Sequence, residues 1–143
     1  MFQRRFLCLI AVASLVPFVL AASALARKNA TRAQEKAVTQ AVKSSPLGGI
    51  NTVPANRYRV ANVKISTVSR AWAMASLVPA KAFRNSFQAA TIVAVQPAGT
   101  SKWVVVDLGS AQVGCGIAPN VVLADLLGLK HGESPCPPGE GIA

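Results

Sequence analysis

The sequence predicts an α+β fold: one N-terminal helix packed on a curled four- to five-stranded antiparallel sheet, with a short second helix near the C-terminus. Three observations carry that expectation. Apolar residues recur at helical spacing over 29–45 and, briefly, after Pro119. Between these lie four runs rich in β-branched or alternating apolar residues, and Pro97-Ala98-Gly99-Thr100 supplies turn chemistry between the last two. A long helix, a block of strands and a short helix form separate layers, with the helix laid across one face of the sheet.

The chain has 143 residues, enough for one ordinary domain. Its start reads as a secretory leader. Arg4 and Arg5 precede an apolar stretch from Phe6 to Leu20, and Ala24-Leu25-Ala26 places small residues where a signal peptidase reads. Cleavage after Ala26 removes Cys8 and leaves a mature chain beginning at Arg27. The 21 residues from Phe6 to Ala26 carry no charge, so an uncleaved anchor is the competing reading. The organisation expected is therefore a signal peptide over 1–26, a basic helix and loop over 27–56, and the sheet with its C-terminal helix over 57–137. The last two form one domain, and 138–143 is a flexible tail.

In the helix over 29–45, Thr31 can cap the start and Gln34 can close a capping box, while Ala30, Ala33, Ala37, Val38, Ala41 and Val42 share one side. Pro46, Gly48, Gly49 and Pro54 mark 46–56 as loop. In the first strand, from Arg57, Tyr58 and Val60 hold one phase and Val63 and Ile65 the other, which predicts a bulge near Asn62. In the second strand, Ala71 to Val78, an alanine side is suited to receiving the alanine-rich helix. The third runs from Phe87 to Gln96 and the fourth from Lys102 to Leu108. Val113 to Gly116 reads as a further short extended piece. Pro119-Asn120 then opens a helix through Leu127 with Gly128 as its stop.

Ile65-Ser66, Ala71-Trp72-Ala73, the run Lys102 to Ser110, Val113-Gly114-Cys115, Pro119 and Cys136 together resemble a group of small secreted actinobacterial proteins of unknown function. The resemblance covers about 57–137 and brings no assigned activity. The order of elements is also similar to the cystatin-like roll, which hosts inhibitors, carriers and enzymes alike, so fold alone does not choose among them.

Two cysteines, Cys115 and Cys136, remain in an exported chain and read as a disulfide, with free thiols as the alternative. Charge is lopsided. The whole chain carries a formal +10, and the basic residues between Arg27 and Arg84 are opposed by Glu35 alone. Arg32, Lys36 and Lys43 form a stripe on the helix away from its alanine side, and with Arg57 and Arg59 they are expected to make one anion-binding patch. Outside the cytosol the fitting partners are anionic lipid, cell-wall polymer or an exported protein, not nucleic acid. A solvated surface that serves solubility is the plain alternative.

Catalytic signatures are thin. His131 is the one histidine and stands in a predicted loop; no nucleophile elbow, phosphate loop or spaced carboxylate pair occurs, and no cofactor or metal is called for. Asp107 reads as an outward-facing strand residue, with a half-buried partner for a basic side chain as the alternative, and Asp125 as a solvent-facing helix residue. Trp72 and Trp103 are the aromatics suited to a pocket. The function expected is thus a non-enzymatic, envelope-associated binding module with a basic face. The alternative is a cystatin-like inhibitor or small-ligand carrier with a cleft between helix and sheet.

Overall fold

The computed structural model describes residues 28–130 and 132–139. The expected leader, His131 and the tail from 140 lie outside them. Helix α1 spans Arg32–Ser44. Thr31 caps it as its sequence predicts: its hydroxyl accepts from the Gln34 N–H at 3.3 Å, and its own N–H donates to Gln34 Oε1 at 2.9 Å. Glu35 in the first turn and Lys43 in the last suit the helix dipole. The buried side is narrower than the alanine spacing implies. Val38, Ala41 and Val42 are buried, whereas Ala33 is exposed.

The segment after α1, expected as loop, contains 3-10 turns within Leu47–Thr52 that are broken by a kink at Gly48 and Gly49, whose φ values of 58° and 69° are left-handed. Ile50, 3% exposed, anchors it in the core. Four longer strands follow: β2 (Tyr58–Ile65), β3 (Trp72–Pro79), β4 (Ala90–Val95) and β5 (Val104–Gly109). They form an antiparallel meander in chain order. Two residues ahead of α1, Lys28–Asn29, add a short β1 to its edge by pairing with Ile65 and Lys64 of β2. Thus α1 follows a strand residue pair instead of opening the fold. Ala30 continues that edge with an N–H to Val63 O bond of 3.2 Å.

Val113 to Gly116 does not add a strand. It is a succession of turns, because the Gly114 N–H donates to Asp107 Oδ2 at 2.6 Å and draws the chain back onto the sheet. Asp107 also accepts from the Leu108 N–H at 2.8 Å. Its half-buried carboxylate therefore organises the end of β5 instead of simply facing outward.

Two register shifts shape the sheet. Between Ala61 and Lys64 of β2, one more residue stands on β2 than on β3, and Asn62 has φ 54°. This is the bulge that the phase slip predicts, and it turns Tyr58, Val60, Val63 and Ile65 toward one common core. A second shift lies between Val93 and Ala94, opposite Val105 to Asp107.

Both faces of the sheet are covered. On one, Val38, Ala41 and Val42 of α1 meet Ile65, Ala73, Ala75, Ile92, Ala94, Trp103 and Val105. The alanine side of β3 does receive the helix, and small side chains there allow close approach. On the other face, helix α2 (Asn120–Leu127) buries Val122, Leu123 and Leu126 against Met74 and Val93. The middles of β3 (Ala73–Ala75) and β4 (Ile92–Ala94) are consequently buried on both sides, and both stretches are apolar throughout. Gly128, in the left-handed region at φ 70°, ends α2 and lets the Leu129 N–H reach Ala124 O at 2.9 Å. Among the described residues no helix is long and apolar enough to cross a membrane.

Candidate functional site

The exposed side of α1 and the outer edge of β2 enclose an open groove of about 440 Å³. Arg32, Lys36 and Lys43 line it from the helix, and Val60, Ala61, Asn62 and Val63 line it from the strand. The arrangement follows from local rules. Positions 32, 36, 39 and 43 recur along one side of α1, so three basic side chains stand in a row with Thr39 between them. Below them the bulge at Asn62 swells the β2 edge. Glu35 is the one acidic side chain in the lining, and Thr39, Gln40 and Asn62 add neutral donors and acceptors.

Of the five basic residues expected in one patch, the structure brings three to this groove. Arg57 is engaged elsewhere: its guanidinium carbon lies 5.1 Å from the centre of the Phe83 ring, a cation–π distance. Phe83 in turn meets Phe87 edge-on at 6.5 Å. Arg59 is exposed on β2 but does not line the groove. The bulge and the helical row were both readable from sequence; their adjacency was not, because nothing local tells which strand edge a helix runs beside.

Trp72 and Trp103 do not share a cleft. Trp103 is 8% exposed in the α1-side core, while Trp72 packs against the opposite core under α2. Successive residues of the sheet face opposite ways, and both rings are used as packing. A second cavity, apolar and of about 50 Å³, is lined by Ile50, Val53, Tyr58, Leu77, Pro79, Phe87 and Gln88. Neither tryptophan lines either cavity.

Cys115 and Cys136 are joined, with their Cα atoms 5.7 Å apart and their positions 21 apart in sequence. The bridge ties the C-terminal segment to the α2 side of the sheet, where Cys136 is buried. Close by, Gly114 has φ 90°, and a Cβ there would come within 2.6 Å of Leu123 Cδ2. A side chain there would press on Leu123 of α2 and Val93 of β4, at a backbone angle that favours glycine.

Asp125 departs most from its sequence reading. Far from facing water it is 4% exposed. Its carboxylate accepts from Ser66 Oγ at 2.8 Å, Thr67 N at 2.6 Å and Thr67 Oγ1 at 2.9 Å, with the Val68 N–H more distant at 3.5 Å. Ser66 Oγ itself accepts from the N–H groups of Val68 and Ser69. Burial pushes the carboxyl pKa up, but the bonds from Ser66, Thr67 and Val68 outweigh it and hold the group below its ordinary value. The charge is therefore spent on clamping the β2–β3 turn to α2. The only hint in the sequence is the polar run Ser66-Thr67, whose partner lies far along the chain.

Among the described residues no three of His, Cys, Asp and Glu gather as a metal-binding group. In comparisons with known proteins, no family model, curated protein or solved structure matches the chain.

Proposed function

We propose that the chain is an exported, non-enzymatic binding module of the cell envelope that takes an anionic partner on its basic face. The observation carrying this reading is the groove in which Arg32, Lys36 and Lys43 stand together beside the β2 edge. A row of cations along one concave surface raises the local concentration of anions and steers their approach. Export is supported by the Arg4-Arg5 leader pattern and by the Cys115–Cys136 bridge, a bond that persists outside reducing compartments. The non-enzymatic part rests on the two aspartates, Asp107 and Asp125, which are both committed to hydrogen bonds within the fold. The reading as a cystatin-like inhibitor or carrier has less to rest on. The apolar notch described above holds about 50 Å³, against the several hundred Å³ of small-molecule pockets.

Two measurements test this proposal. N-terminal sequencing of protein recovered from envelope or culture fluid should begin at Arg27; a retained full-length form supports the anchor. Binding should then be measured to anionic vesicles, wall polymer and an acidic peptide at rising salt. At least one should bind, weaken as salt screens the charges, and weaken further for Arg32→Gln, Lys36→Gln and Lys43→Gln combined. If no anionic probe distinguishes this variant from the wild type, the basic row serves solubility and the proposal fails.

A further inference from the structure

We propose that the groove is a strand-addition site, and that its occupant is an extended acidic peptide segment of another exported protein. This inference rests on the basic-face reading and specifies the partner. The carrying observation is the backbone beside the charges. Strand β2 pairs with β3 along its inner side, but β1 covers its outer side only at Lys64 and Ile65, with Ala30 reaching Val63. Over Tyr58–Ala61 no described strand pairs with the outer edge. Unpaired edge N–H and C=O groups are a template for another strand. An extended peptide laid there completes the ladder, in line with β1 and alongside α1.

The dimensions and charge agree. The row from Arg32 to Lys43 rises about 16 Å along the helix, the span of about five extended residues. Side chains of an added strand alternate between the two faces. Those facing the helix meet Arg32, Lys36 and Lys43, which favours acidic residues at every second position. Arg59, exposed on β2, is available beyond the groove. A lipid headgroup or a phosphate polymer matches the charge but has no alternating amide and carbonyl row to pair with the strand. A second copy of the chain matches the strand but brings two basic rows together, which is unfavourable.

The test uses the purified protein and a blocked heptapeptide, Thr-Glu-Val-Glu-Val-Glu-Thr. Two further versions carry N-methyl groups on one or the other alternate set of amides, with all side chains and charges kept. Only one set of amides faces β2 in a ladder. One methylated peptide should therefore bind at least about tenfold more weakly than the parent, as expected for losing edge hydrogen bonds, and the other should be close to it. Amide exchange at Tyr58–Ala61 should slow on binding the parent. Equal binding by all three peptides, still lost in the triple Gln variant, would keep the basic face and overturn strand addition. Binding of anionic vesicles or polyphosphate without the peptide would overturn the peptide partner in favour of charge alone. A dimer in sedimentation that buries the same amides would give the edge to a second copy and overturn the proposal. Absence of binding to every anionic probe would overturn both readings.

Discussion

Replacing Asp125 with Ala removes the acceptor on which the β2–β3 turn is hung. Three donor contacts of 2.6 to 2.9 Å are lost, and Ser66, 1% exposed, is left with a buried hydroxyl. A hydrogen bond to a charged acceptor contributes about 1.5 kcal/mol or more net. Thr67 is exposed and can turn its own hydroxyl to water, so the expected total is about 3 kcal/mol. In a domain of this size that corresponds to a Tm lower by about 12 °C. The dependence on pH has a definite sign. Because the folded-state pKa is lowered, the unfolded chain takes up the proton first as the solution is acidified. The contribution is fully present above the unfolded value of about 3.9 and fades as pH falls through the folded one. Thermal melts followed by circular dichroism, from neutral pH into the acid range, should show the gap between wild type and Asp125→Ala narrowing with acid. A gap under about 3 °C at neutral pH, or one that stays constant with acidification, would refute the clamp.

Two further perturbations probe the same side of the sheet. The mass of the non-reduced protein should lie two hydrogens below that of the reduced one, and replacing Cys115 and Cys136 by Ser should lower stability by about 3 kcal/mol in denaturant unfolding; an unchanged midpoint would make the bridge incidental. Gly114→Ala forces a Cβ against Leu123 and Val93 at a positive φ, and should cost about 2 kcal/mol with the fold retained. A variant as stable as the wild type would mean that the turn accepts another backbone path.

Local patterns suffice for much of this protein. The Thr31/Gln34 box starts α1, Gly128 stops α2, the slip between Val60 and Val63 places a bulge at Asn62, and the alanines of β3 mark the face that α1 covers. Each of these depends on residues a few positions apart, where steric and hydrogen-bonding rules act directly. The pairing of Cys115 with Cys136 was also legible, since Cys8 falls in the expected leader and no other cysteine remains. What lay beyond the sequence were relations between distant segments. Asp125 looks like any helix surface residue until α2 is placed against the Ser66–Ser69 turn, and Trp72 and Trp103 look suited to a pocket until the pleat sends them to opposite cores. Arg57 and Arg59 belong by charge with Arg32, Lys36 and Lys43, yet Arg57 lies over Phe83 and only the helix row meets the β2 edge. Charge and periodicity are properties of the chain, whereas which strand edge is left unpaired beside which helix depends on how the layers pack.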